Sequence, residues 1–254
     1  MTAFYLPLDG SSQFRATEHT VGPWADTEQH AGPPSALLVR TLESAFPREG
    51  SLARVTIDLL AAVPVTELTI RSRLLRPGRS VQLAEAELDA GGRVVARATA
   101  WWHRHGDTVS VATDMPPPSL PEALGDDRQP WPGGYLRAME WRWVDGALGE
   151  LGPATVWCRM RMPLVDGEEP SPTQRIFVTA DSGNGISAIL HPQQWLFVNT
   201  DLTVHLFRPP TGEWVGMAAE TTLGPSGSGV ATSRLYDTTG EIGRGAQALL
   251  VRPR

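Results

Sequence analysis

Apolar and polar residues alternate along much of this chain. In the segment 67–76, Leu68, Ile70, Ser72 and Leu74 fall two apart, the period of a half-buried strand. Similar runs occupy 54–63, 81–89 and 93–103, then 197–207, 214–223, 230–236 and 243–251. Turn residues separate them: Pro64, the pair Pro77-Gly78, and Asp89 to Gly92. Two stretches break the alternation. Apolar residues at 37, 38, 42, 45 and 46 have helical spacing and predict a helix over 34–46. A second helix is expected at 185–190, opening near Asp181 or Ser182, either of which can cap it.

Between these groups, residues 106–134 contain prolines 116, 117, 118, 121, 130 and 132 and end in two glycines, which reads as a connector. It divides the chain into 1–105 and 135–254. The halves resemble each other. VTIDLLAAVPVTELTI from Val55 aligns with DLTVHLFRPPTGEWVG from Asp201, placing Pro64 opposite Pro210 and Glu67 opposite Glu213. LDAGGRVVARATAWW (88–102) matches YDTTGEIGRGAQALL (236–250) after a two-residue shift. Each half reads as one helix followed by a meander of long antiparallel strands, an α+β arrangement. The repeat suggests a duplication with a pseudo-two-fold.

Composition narrows the chemistry. The 254 residues are 41% hydrophobic and 20% charged, enough for a substantial core. All 22 basic residues are arginine, so Schiff-base chemistry on lysine and the lysine of a phosphate-binding loop are closed. A net charge of −6 without a basic run argues against nucleic-acid binding. The lone Cys158 makes no internal disulfide, and its alternating context reads as a small buried hydrophobe. No segment has the length of a transmembrane helix and the start lacks a signal-peptide pattern, so the expectation is a cytoplasmic protein off the membrane.

Four segments carry a resemblance: GPW…QHAGPPSALLVRTLE (22–43), TADSGNGISAIL (179–190), FVNTDLTVHLFRPPTGEWVGMAAETTLGPSGSG (197–229) and LYDTTGEIGRGAQALLVR (235–252). In order and spacing they resemble the acyl-CoA thioesterase II family, in its actinobacterial-type branch. The resemblance implies a double hotdog, in which two antiparallel sheets each wrap a central helix. It implies hydrolysis of an acyl-CoA, or a related carrier-bound acyl thioester, in fatty acid metabolism. The family's Asp, Thr or Ser, and Gln carry over to Asp201, Thr222 and Gln247. The hydroxyl residue is open between Thr221 and Thr222, and a one-residue slip turns the side chain to the other sheet face.

In that reading Asp201 is the base, Thr222 and Gln247 position the water, and backbone N–H groups near Gly32 hold the oxyanion. No metal and no cofactor are implied; coenzyme A belongs to the substrate. The family's His-Gly-Gly-Pro-Pro stands here as His30-Ala31-Gly32-Pro33-Pro34, and Ala31 is strained if its φ must be positive. The positions opposite the polar set, about Val55, Arg76 and Thr99, do not repeat it, which suggests one working site per chain.

Two other readings are carried. A hotdog dehydratase or hydratase would use a His–Asp pair such as His205 with Asp201, but lacks the Asp-x-Asn-Pro-x-His signature. A non-catalytic acyl-CoA-binding protein is kept open by Ala31. Arginines 71, 73, 76, 79, 93, 97 and 104 could contact phosphates or form a solvated face. Trp24, Trp131 and Trp195 are candidates for an acyl tunnel. His103 and His105 share a strand face without companion ligands. Acyl chain length and homo-oligomeric state are not legible.

Overall fold

The structure, a computed structural model, describes residues 3–9, 12–113, 115–122 and 134–254. The first half contributes β1 (Tyr5–Asp9), β2 (Gln13–Ala16), helix α1 (Gly32–Ala45), β3 (Gly50–Leu59), β4 (Glu67–Arg76), β5 (Val81–Ala90) and β6 (Arg93–Arg104). After a short helix α2 (Gly134–Ala138), the second half contributes β7 (Met139–Asp145), β8 (Ala154–Met160), α3 (Pro172–Ala180) and the single turn α4 (Gly183–Ile186). Then come β9 (Trp195–Asn199), β10 (Asp201–Leu206), β11 (Val215–Leu223), β12 (Ser228–Asp237) and β13 (Gly240–Pro253).

The strands form one antiparallel sheet in the order β1-β2-β4-β5-β6-β3-β10-β13-β12-β11-β8-β7, with β9 also on β13. Outward from its centre the order is β3-β6-β5-β4-β2-β1 on one side and β10-β13-β12-β11-β8-β7 on the other. The second half therefore repeats the connectivity of the first, as the internal repeat predicts. The expectation of two sheets is corrected: β3 and β10 pair from Asp58–Asp201 to Arg54–His205, so the ladder runs on without a break. Edge strands with matching apolar faces gain backbone hydrogen bonds by joining.

Helix α1 lies one residue or two from its expected bounds. Pro33 and Pro34 occupy its first turn, and it stops at Phe46, whose extended φ/ψ is what a residue before proline adopts. The second helix is corrected. It is α3, not 185–190, and starts at Ser171-Pro172, where the Ser171 hydroxyl accepts from the Gln174 N–H. The segment 179–190 holds only the end of α3 and α4. The two helices pack on each other, α1 against β3 to β6 and α3 against β8, β11 and β12. The run 197–207 is also corrected: it breaks at Thr200, where Oδ1 of Asp201 accepts the Ala248 N–H at 2.7 Å. The strands β1, β2, β7 and β8 lie outside the predicted runs, although β8 carries the alternation noted around Cys158.

Alternation fixes the faces. Along β12 and β13, Ala231, Leu235, Gln247 and Leu249 turn toward the helices, and Thr232, Arg234, Arg244 and Ala248 turn outward. Of the expected connector, Met115 and Pro121 offer their carbonyls to Glu241 N–H and Arg142; residues 123–133, with Pro130, Trp131 and Pro132, lie outside the described residues.

Candidate active site

A buried polar cluster sits where α3 ends against β11 and β13. Asp181 is the C-cap residue of α3 and is 4% exposed. Its Oδ1 accepts from Asn199 Nδ2 at 2.9 Å and from Gln247 Nε2 at 3.3 Å, and its Oδ2 faces His30 Nδ1 at 3.2 Å. Gln247 also donates to the Asp181 main-chain oxygen and accepts from the Asn184 N–H, both at 3.0 Å. A buried amide with three bonds is well satisfied, and here it locks the α3–α4 junction onto the sheet.

Thr221 joins the cluster through the register. Thr221 pairs with Ala231 and Ala231 with Gln247, so the three side chains form a row on the helix-facing side. The Thr221 hydroxyl lies 2.8 Å from Ser187 Oγ, and Ser187 donates to the Gly183 carbonyl. A hydroxyl has one proton, so Thr221 must donate to Ser187 and keeps its lone pairs for another donor.

His30 closes the cluster. Its ring stacks on Tyr135, centroids 3.8 Å apart and planes 9° from parallel. Tyr135 is anchored by its hydroxyl, which donates to the Val178 carbonyl and accepts from Ser182. Burial lowers the His30 pKa, and the Asp181 charge partly opposes that. His30 and Ser182 open into a cavity of about 570 Å³ whose walls are mostly apolar: Trp24, Leu136, Trp141, Leu148, Ile186 and Phe197. An apolar cleft with convergent polar groups at one side is the form of a small-molecule site.

The sequence matches the family model of the acyl-CoA thioesterase N-terminal domain over residues 20–103 and that of the C-terminal domain over 112–251. The chain belongs to the acyl-CoA thioesterase family. It is a thioester hydrolase. Among solved structures it is similar to acyl-CoA thioesterase II TesB2 of Mycobacterium marinum, at 14% identity and TM-score 0.67, over 98% of this chain and 96% of that one. It is similar to a tesB protein of Mycobacterium avium subs paratuberculosis, at 14% identity and TM-score 0.70, covering 97% and 96%. A hot dog fold protein of unknown function from Alicyclobacillus acidocaldarius matches at 17% identity and TM-score 0.72, covering 97% and 95%. These likenesses establish a hotdog-type fold. A search of curated protein sequences gives no match.

In the thioesterase, the four residues expected from sequence do not converge. Gln247 is in the cluster. Asp201 is not: Leu202 and Val204 turn into the core, so Asp201 turns to the other face, beside Asp58 of β3. Its carboxylate serves the kink between β9 and β10. Thr222 is not in the cluster either: it is exposed and aligned with the outward Val230 and Ala248, and the hydroxyl on Gln247's side is that of Thr221. Gly32 begins α1 beside His30, but its N–H is held by His30 Nδ1 at 3.0 Å. Its lack of a side chain serves helix packing, because a Cβ there would lie 2.2 Å from the Val178 carbonyl oxygen. Ala31 has φ −72°, so no strain arises.

Sequence reasoning missed Asp181, Ser187 and His30 as site residues, while Thr221 stood there as the alternative to Thr222. Asp181 was legible only as a helix cap. His205 is exposed on the outward face, beside Arg54 and Arg244. Three of the seven arginines on and around β4 to β6 engage neighbours: Arg73 holds Glu85, Arg97 holds Glu87, and Arg76 lies over Trp101. Trp24 lines the cavity; Trp195 starts β9 outside it. Burial pushes the Cys158 thiol up, consistent with an inert hydrophobe. Among the described residues no three His, Cys, Asp or Glu side chains gather as metal ligands. No described helix is long and apolar enough to cross a membrane.

Proposed function

We propose that the enzyme hydrolyses fatty acyl-CoA by direct attack of water, with Asp181 as the base. The observation that carries this is the Asp181–Gln247 contact directly behind His30 and Ser182, which line the apolar cavity. Among the described residues, Asp181 Oδ2 is the carboxylate oxygen that no backbone or amide N–H satisfies, so it is the one available for a water proton. Thr221, its proton committed to Ser187, accepts from the same water and fixes its direction. Gln247 positions Asp181. The acyl chain lies in the cavity among Trp24, Trp141, Leu148 and Phe197, and coenzyme A enters as part of the substrate.

The oxyanion donor in this reading is the Gly32 N–H. Pro33 and Pro34 carry no N–H and Ser35 N–H is bonded to the Ala31 carbonyl, so Gly32 has the foremost donor of α1. The architecture is read as a double hotdog, units 1–105 and 135–254, carrying one catalytic site to which both units contribute. Carrier-bound acyl thioesters are the alternative substrates. The test is free-thiol release from acyl-CoAs of graded chain length, run beside Asp181→Asn. Release that depends on chain length and disappears in a folded variant supports the reading. Release that survives in Asp181→Asn overturns the assignment of the base.

A further inference from the structure

We propose that His30 is the acid that protonates the departing thiolate, and that it recovers that proton from Asp181. The inference rests on the reading above, in which Asp181 takes the proton of the attacking water.

Hydrogen-bond accounting at one nitrogen leads to it. The Gly32 N–H can only donate, so Nδ1 of His30 is an acceptor and the proton of the neutral ring sits on Nε2. Yet the same Nδ1 lies 3.2 Å from Asp181 Oδ2. A carboxylate oxygen facing an imidazole lone pair at that distance is repelled unless a proton lies between them. A proton that Oδ2 takes from the attacking water therefore lies within direct reach of Nδ1 and can pass to it. Nε2 is the other nitrogen of the ring, and the ring lines the cavity. Stacking on the anchored Tyr135 ring holds the imidazole edge-on between carboxylate and cavity.

The steps balance. The water oxygen bonds to the thioester carbon, the carbonyl π pair moves onto oxygen, and the water proton goes to Asp181 Oδ2. The Gly32 N–H turns to the new oxyanion, which frees the Nδ1 lone pair. Nδ1 then takes the proton from Oδ2, giving an imidazolium beside the Asp181 carboxylate. The carbonyl re-forms, the C–S bond breaks, and the sulfur takes the proton of Nε2. One water is consumed; a carboxylic acid and a free thiol are made. Proton exchange with solvent through the cavity returns the ring to its Nε2–H form.

The test compares His30→Asn, whose amide oxygen can replace Nδ1 as an acceptor, with wild type on two substrates of one acyl chain. One is the acyl-CoA; the other is an aryl thioester, whose more acidic thiol leaves without a proton. The expected result is a loss of about 100-fold in kcat on acyl-CoA and under about fivefold on the aryl ester. Equal losses on both would make His30 a structural residue and overturn the proposal. Wild type alone gives a second readout, independent of whether a variant folds: its rate should depend weakly on leaving-thiol acidity, and a steep dependence overturns the acid role. Wild type inactive on every thioester overturns the hydrolase reading itself, a result distinct from both.

Discussion

Gln247 on β13 donates from Nε2 to the main-chain oxygen of Asp181 at 3.0 Å, and so pins the cap of α3 to the last strand of the sheet. The bond joins segments 66 residues apart. It places a carboxylate that belongs to no strand at the end of a row that runs from Gln247 across Ala231 to the strand threonine Thr221.

Asp181→Asn should lower kcat on acyl-CoA by about 100- to 10,000-fold, the range of a lost general base. Asp201→Asn should stay within about threefold of wild type on that same scale. Thiol release by the two purified variants checks this pair; a larger loss in Asp201→Asn would return the base to β10.

Thr221→Val should cost about 10- to 100-fold in kcat if its lone pairs steer the water, whereas Thr222→Val on the outward face should not. Ser187→Ala should show part of the Thr221 loss, because the threonine proton then has no fixed acceptor. Equal activity of the Thr221 and Thr222 variants would remove the hydroxyl from the site.

Gly32→Ala should destabilise the fold by about 1–3 kcal/mol, because a methyl must be forced against the Val178 carbonyl where α1 and α3 meet. Ala31→Gly should be nearly neutral in activity. Thermal unfolding reports the first, and thiol release the second. An undisturbed Tm in Gly32→Ala would mean that the two helices separate more readily than their packing indicates.

Stability should fall as pH drops below about 6.5, the ordinary histidine value. Burial lowers the native His30 pKa, so between that value and 6.5 the unfolded chain binds more protons, and the stability present above 6.5 is lost as pH falls through the native pKa. His30→Asn should flatten this part of the profile. Asp237 acts lower. Its native pKa is depressed despite burial, by the forked Arg208 pair and by Thr239 and Thr211. Its contribution is present above the aspartate value of about 3.9 and is lost as pH falls further. Asp237→Asn, which strands a partly buried guanidinium, should cost about 3–5 kcal/mol at neutral pH. Urea unfolding at stepped pH reads both effects.

Ala188→Trp should narrow the cavity and shift preference toward shorter acyl chains, since Ala188 is one of its buried wall residues. An unchanged chain-length profile would place the acyl group elsewhere.

Much of the framework could be read without coordinates. Strands β4, β5, β6, β11 and β12 fall within a residue or two of their periodic runs, because a side-chain period of two survives in any sheet with one covered face. The family, the repeat, α1 and Gln247 were likewise legible. α3 was not: it is nine residues long and holds Ile176, Val178 and Thr179, which weaken the helical pattern, and its true signal was Ser171-Pro172.

What the chain by itself determined was therefore its alternation, its duplicated order and its family. Tertiary structure decided which face each strand presents, since parity along one strand says nothing of the register with its neighbours. That register sent Thr221 and Gln247 inward, and Thr222 outward. It also decided the carboxylate. Asp181 and His30 lie at the ends of two helices far apart in sequence and are brought to 3.2 Å only because Gly32 lets α1 close on α3. No local pattern encodes a contact whose two sides are set by separate elements.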